Sequence, residues 1–133
     1  MIDTSVMVAG LVDSHGFHQL AWPHTVRAAR GRGPGIVATE SWAALRRYPW
    51  HLGADVVEQL LGPWASSDRI AITPVDAYQY VLRNGRTLHL GGRFHDLLIA
   101  LICAAPLVAL DRQQAALARG LPDPAVILLD PAG

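Results

Sequence analysis

Four acidic residues lie within or at the ends of apolar segments of this 133-residue chain: Asp3, Glu40, Asp96 and Asp111. Asp96 is the most informative, because it lies in the largely apolar run 94–103, whose length favours a helix over a strand. Aspartate is a poor helix former away from the first turn, and an ionised carboxylate among Leu and Ile must be paired or bound to a metal ion. The position of Asp96 therefore indicates a chemical role.

Short strand patterns alternate with helix patterns along the chain. Strands are predicted at 1–3, 35–38, 69–72, 107–110 and 125–129. Helices are predicted at 5–12, 18–29, 40–47, 54–61, 75–83 and 112–119, with another around Asp96 that begins after Gly91 and Gly92. This order predicts a single domain over residues 1–133 with an α/β fold, in which helices cover both faces of a central parallel sheet of four to five strands.

In such a fold, ligands bind beyond the carboxyl ends of the strands. Asp3 and Asp111 directly follow predicted strands, and Glu40 follows one at a distance of one residue, so all three are expected at one edge of the sheet. Asp96, near the start of its helix, can face that edge too. Close carboxylates repel unless a cation binds them, and an all-oxygen ligand set indicates Mg²⁺ or Mn²⁺.

Each acidic residue also has a purely structural interpretation. Asp3 and Asp111 precede predicted helices and could be N-caps, while Glu40 would lie in a first turn, where the helix dipole favours acids. The same holds for Asp96 if its helix begins at Phe94 or His95. Both interpretations stay open at the level of sequence.

Three further side chains belong to the predicted site as accessory residues. Ser5 can contact the water shell of a metal ion or simply cap a helix. Arg93 lies one turn before Asp96, and Arg112 follows Asp111, so either guanidinium could bind a substrate phosphate or form a solvated ion pair.

Composition limits the partners and the location of the protein. The net charge is zero and all 11 basic residues are Arg, so no global attraction to nucleic acid or membrane is expected. A local positive rim is predicted, and its candidate phosphate-binding residues are Arg27, Arg30, Arg32, Arg46 and Arg47. The four tryptophans are interpreted as core or interface residues.

The single Cys103 cannot form an internal disulfide, and an acidic residue at position 3 is unlike the start of a signal peptide. The longest apolar stretch is interrupted by Pro106 and is too short to span a bilayer. These features predict a cytoplasmic protein without a membrane segment.

Two other kinds of site fit the sequence less well. His15, His18 and His24 are close in sequence, but no HExxH motif or Cys pair accompanies them, which disfavours a zinc site. An aspartyl phosphotransferase of the haloacid-dehalogenase type needs a second Asp where Ser5 stands, and a downstream Lys, which this chain lacks.

The sequence resembles the PIN-domain ribonucleases, and more narrowly the VapC-type toxins of type II toxin–antitoxin systems. The resemblance is carried by the segment from Met1 to Val6, by Ala38-Thr39-Glu40, and by the segments 90–100 and 107–112, in the family's order and approximate spacing. It implies a PIN-like fold in which Asp3, Glu40, Asp96 and Asp111 bind Mg²⁺ or Mn²⁺.

The resemblance also implies an activity and partners. It implies metal-dependent endoribonuclease activity on RNA, a cognate VapB-type antitoxin and a homodimer. The alternative is a degenerate PIN domain that binds RNA or a protein without cleaving. The sequence does not identify which RNA would be cleaved, how many metal ions would bind, or how the dimer would be arranged.

Overall fold

A computed structural model of the chain describes residues 1–30, 33–65, 70–71, 75–88, 98–99, 101, 107–112, 116 and 126–129. Within these residues the helices are α1 (Thr4–Leu11), α2 (His18–Ala29), α3 (Gly35–Arg46), α4 (Ala54–Leu61) and α5 (Val75–Leu88), and one 3₁₀ turn covers Gly62–Trp64. The strands are β1 (Gly33–Pro34), β2 (Ile70–Ala71), β3 (Leu107–Ala109) and β4 (Val126–Leu128).

Helix α1 lies within the main core of the described residues. Its sequence contains no charged residue, and five consecutive residues from Val6 to Gly10 are buried. A helix that is apolar on all sides is stable only when other elements surround it, and α1 packs against α2, α3 and β3. The main core of the described residues is therefore built around a helix.

Helices α1 and α2 approach each other closely at Gly10. A Cβ atom added there would lie only 1.8 Å from Oγ1 of Thr25 on α2. Thr25 is buried, and its hydroxyl donates to Ala21 O at 3.1 Å and to Val6 O at 3.4 Å. Glycine is needed at this position because the Thr25 side chain fills the space beside it.

The bounds of α2 and α4 agree with the sequence prediction, and α2 continues through Pro23. Helix α1 begins one residue earlier than predicted and ends one residue earlier. Helix α5 was predicted to end at Arg83, but it continues through Asn84 and Gly85 to Leu88.

The predicted strand at 35–38 is wrong, since these residues form the first turn of α3. Val37, Ser41 and Leu45 are all fully buried, and their spacing of four residues matches the period of a helix. The short run Ile36-Val37-Ala38 fits a buried strand or a buried helix turn equally well. Helix formation places all three buried side chains on one face.

The prediction of a central parallel sheet of four to five strands within three α/β/α layers is also wrong. The described residues are mostly helical and contain two separate two-stranded parallel sheets, β1–β2 and β3–β4. Instead of a first strand at 1–3, Ile2 forms an isolated parallel bridge with Val108. The strands have only two or three residues each, and Pro34 has no N–H to donate to a sheet, so few ladder hydrogen bonds can form.

The other predicted strands match in position. Strands β2, β3 and β4 lie inside the predicted segments 69–72, 107–110 and 125–129. Leu98, Ile99 and Leu101 are helical, as the sequence predicts for the run that contains Asp96, and Arg112 is helical too. Asp96 itself lies outside the described residues.

Candidate active site

Asp3 is buried at the N-terminal end of α1, with 3% of its surface exposed. It is the N-cap of the helix, and its Oδ1 accepts hydrogen bonds from Val6 N at 3.0 Å and from Ser5 Oγ at 2.7 Å. Its own N–H donates to Val108 O at 3.0 Å, which fixes it beside β3. The positive end of the α1 dipole favours a carboxylate here.

Ser5 connects this helix end to the end of β3. Its Oγ donates to Asp3 and accepts the backbone N–H of Leu110 at 3.2 Å. Because Asp111 directly follows Leu110, the structure brings Asp111 to the same end of α1 as Asp3. Ser5 was predicted as an accessory residue, and its observed contacts are those of a link between these two segments.

Glu40 reaches the same region from a third segment. The hydroxyl of Thr4, the neighbour of Asp3, donates to Oε2 of Glu40 at 2.9 Å. Glu40 was expected in a first helix turn, but it is the sixth residue of α3, which begins at Gly35. The helix dipole at an N-terminus therefore does not account for an acid at this position, whereas the contact with Thr4 places it beside the Asp3 segment.

Three of the four predicted carboxylate residues thus come from separate segments that meet at the N-terminus of α1. The sequence missed the role of Thr4, whose only signal was its place between Asp3 and Ser5. Hydroxyl donors that hold carboxylate oxygens are typical of the outer shell of metal sites, where they orient the ligands. Asp96 and Arg93 lie outside the described residues.

The donor atoms of Asp3, Glu40 and Asp111 suit a hard divalent cation such as Mg²⁺ or Mn²⁺, since they are all carboxylate oxygens. Among the residues that the structure describes, no group of three or more His, Cys, Asp or Glu side chains has the spacing of a complete metal site. The chemistry of the donors therefore fits the cation, while a full ligand set is not assembled from the described side chains.

The arginines predicted to bind phosphate lie at helix ends. Arg27 and Arg30 are exposed at the end of α2, and Arg46 and Arg47 are exposed at the end of α3. Arg46 donates from Nη1 to Leu52 O at 3.1 Å. Arg112 is exposed beside Asp111, and Arg32 lies outside the described residues.

Two of the three histidines near α2, His15 and His18, have partners of their own, whereas Nδ1 of His24 is buried without a hydrogen-bond partner among the described residues. His15 accepts the Phe17 N–H at 3.0 Å on Nδ1 and stacks on Trp50 with ring centroids 5.1 Å apart. His18 Nδ1 lies 3.0 Å from Ala9 O. Burial, with a smaller effect of His18, lowers the pKa of His15. Burial and the nearby Arg27 guanidinium lower the pKa of His24.

No protein-family model, curated protein or solved structure matches this chain. The assignment of a function therefore depends on the residues themselves. In the part of the chain that the structure describes, no helix has the length and apolar character needed to cross a membrane.

Proposed function

We propose that this protein is a metal-dependent endoribonuclease and the toxin component of a type II toxin–antitoxin module. The observation that supports this most directly is the meeting of Asp3, Glu40 and the Asp111 segment through hydrogen bonds of Thr4 and Ser5. These acids are far apart in sequence. Asp3 also has a local role as the N-cap of α1, whereas the position of Glu40 within α3 has no such local explanation. The resemblance of the sequence to PIN-domain ribonucleases supports the same activity.

The carboxylates of Asp3, Glu40, Asp96 and Asp111 would hold one or two Mg²⁺ or Mn²⁺ ions. A cation bound there would lower the pKa of a water molecule and neutralise charge that develops on a phosphate. Ser5 donates to Oδ1 of Asp3, and Thr4 donates to Oε2 of Glu40, so these two carboxylates are held in one orientation. Arg93 and Arg112 would be candidates to bind the substrate phosphate, and hydrolysis would leave a 3′-hydroxyl and a 5′-phosphate.

We also propose binding partners and a cellular location for this protein. A VapB-type antitoxin would silence the enzyme, the active form would be a homodimer, and the protein would act in the cytoplasm. The exposed arginines at the ends of α2 and α3 would contact RNA phosphates or stack on unpaired bases.

The proposal is tested by incubating purified protein with a labelled pool of small RNAs in the presence of Mn²⁺ or of EDTA. We expect discrete fragments with Mn²⁺ alone. Asp3→Asn, Glu40→Gln and Asp96→Asn should each reduce cleavage by at least about a hundredfold, since even outer-shell changes at metal sites cost 10–100-fold.

Asp3→Asn is a particularly clean variant, because asparagine is as good an N-cap as aspartate and α1 should keep its start. Asp13→Asn is the matched control, since Asp13 is exposed beyond the opposite end of the same helix. Undiminished cleavage by Asp3→Asn and Glu40→Gln would refute the proposed site. Intact RNA with folded wild-type protein free of antitoxin would instead favour a domain that binds RNA or a protein without cleaving.

A further inference from the structure

Helix α5 has an apolar side that is open to solvent. Val75, Tyr78 and Leu82 are 68%, 48% and 84% exposed. Their spacing of three and four residues places them along one side of the helix. Single exposed apolar residues are common on protein surfaces, whereas three aligned along one helix form a patch of the kind that marks an interaction surface. We call these three side chains the α5 stripe.

The stripe is separate from the side of α5 that packs on its own chain. Ala77 and Val81 of α5 are buried, and together with Leu98 they form a small hydrophobic cluster. The two α5 residues in this cluster are four positions apart and define the side of the helix that is turned towards the protein. Helix α5 is therefore apolar on two sides, and among the described residues only one of them is covered.

The charges beside the stripe indicate which partner would fit. Asp76 follows Val75 and Arg83 follows Leu82, so a pair of one apolar and one charged residue occurs twice, seven positions apart. Seven residues make nearly two helix turns, so the acid and the base lie along the same edge of the stripe. Both are exposed. A second α5 helix that runs in the opposite direction would present a base opposite this acid and an acid opposite this base.

We propose that the α5 stripe is the contact surface of a symmetric dimer, in which the α5 helices of two copies of this chain pack antiparallel. A two-fold axis at the middle of the stripe places Val75 against Leu82 of the second copy, and Asp76 level with Arg83 of the second copy. This interface is the same on both copies and closes at two. The inference rests on the homodimer of the proposed function and gives that homodimer its interface.

The composition of this surface favours a second copy over other partners. Three apolar side chains from each copy would form the centre of the interface, and two ion pairs would form its rim, which is the usual arrangement in protein–protein contacts. A nucleic acid or an anionic membrane would need a basic rim, whereas this one has an acid and a base. Parallel helices would put acid against acid and base against base, so the charges select the antiparallel direction.

The first test is sedimentation equilibrium of the purified protein at micromolar concentrations, where we expect a dimer. Val75→Gln and Leu82→Gln should each raise the dissociation constant at least about a hundredfold, because each change removes two apolar side chains from a two-fold interface. Val56→Gln is the matched control, since Val56 is also exposed, at 44%, but lies on α4. Circular dichroism should show the same helix content in all these proteins, because the replaced side chains are exposed.

The second test separates the antiparallel pairing from a general effect of polarity. Asp76→Arg and Arg83→Asp should each weaken the dimer by about tenfold, because each places like charges at both ends of the helix pair. Mixing the two variants should restore dimers that contain one chain of each kind, since every rim pair is then an acid with a base. Native mass spectrometry counts the mixed dimers, and no preference for them would overturn the antiparallel arrangement.

A wild-type monomer at every concentration, or a dimer that Leu82→Gln leaves intact, would overturn the α5 surface. If Leu82→Gln instead abolishes the binding of a monomer to a co-expressed antitoxin or to phospholipid vesicles, the stripe belongs to that partner and the inference is wrong. Neither test requires cleavage. A monomer that cleaves RNA with Mn²⁺ would therefore refute the dimer alone, and an α5 dimer that does not cleave would refute the ribonuclease alone.

Discussion

At the scale of single residues, Thr4 is the feature that the structure adds to the acidic set. Its hydroxyl donates to Oε2 of Glu40 at 2.9 Å, and it is the first residue of α1. Thr4→Val keeps the shape of the side chain but removes the donor. We expect RNA cleavage to fall by about tenfold, the lower end of the effect of outer-shell partners, with the fold unchanged.

This effect is measured as the rate of fragment formation with Mn²⁺, alongside thermal unfolding of each protein. Thr39→Val is the matched control, since among the described residues the Thr39 hydroxyl donates to the α3 backbone alone, at Gly35 O and Ile36 O. A Thr4→Val protein with wild-type activity would show that the orientation of Glu40 does not depend on this contact.

Two serines differ in their hydrogen-bond partners, so their replacement by alanine should change the free energy of unfolding in opposite directions. Ser41 Oγ is fully buried and has no hydrogen-bond partner among the described residues, whereas Ser5 Oγ has two. Ser41→Ala should raise the free energy of unfolding by up to about 1 kcal/mol, because it removes an unpaired buried hydroxyl. Ser5→Ala should lower it by about 1–3 kcal/mol, because it leaves Leu110 N and Asp3 short of a partner. Chemical denaturation of both variants measures the difference, and a loss of stability in Ser41→Ala would contradict the first part.

At the scale of elements, the contact between α1 and α2 determines where the site residues lie. Gly10→Ala would place a Cβ atom 1.8 Å from Oγ1 and 2.5 Å from Cβ of Thr25. Thr25 is buried and cannot move aside, so we expect a loss of about 1–3 kcal/mol or more in the free energy of unfolding. Gly16→Ala, where an added Cβ meets no atom within 4 Å, is the control. Equal stability of the two variants would show that the helices can separate at little cost.

Helix α3 carries Glu40 to the N-terminus of α1. Glu40 contacts Thr4 on the α1 side of the helix. Its buried face of Val37, Ser41 and Leu45 keeps the helix in one rotational position against the core. The position of Glu40 therefore depends on the packing of α3.

At the scale of the whole molecule, stability should depend on pH near neutrality. The pKa values of His15 and His24 are lowered from 6.5 in the folded state, chiefly by burial. The unfolded chain then binds more protons than the folded chain around this pH, so the folded state loses stability as the pH falls through about 6.5 and below. Denaturation at pH 8 and at pH 6 should give a lower midpoint at pH 6.

His15→Phe should make this dependence smaller, because phenylalanine can keep the stack on Trp50 without a titrating group. A steeper dependence in that variant, or a higher midpoint at pH 6 than at pH 8 in the wild type, would contradict the direction of both pKa shifts.

The whole molecule also explains why the predicted central sheet is absent from the described residues. Segment 35–38 forms a helix turn and segment 1–3 forms only one bridge, so two of the predicted strands do not join a sheet. The parallel direction of the strands was predicted correctly. The number of strands in one sheet was predicted wrongly, because strand pairing joins residues that are far apart in sequence, such as Ile2 and Val108.

The sequence by itself determined the bounds of α2 and α4 and the oxygen-rich chemistry of the candidate site, because helix periods, Pro, Gly and residue types are local properties. Only the tertiary structure decided that 35–38 is helical, since the face of Val37, Ser41 and Leu45 needs a core to bury it. Only the tertiary structure joined Thr4 to Glu40 and Ser5 to Leu110. Such contacts depend on how α1, α3 and β3 pack together, and no local pattern contains that information.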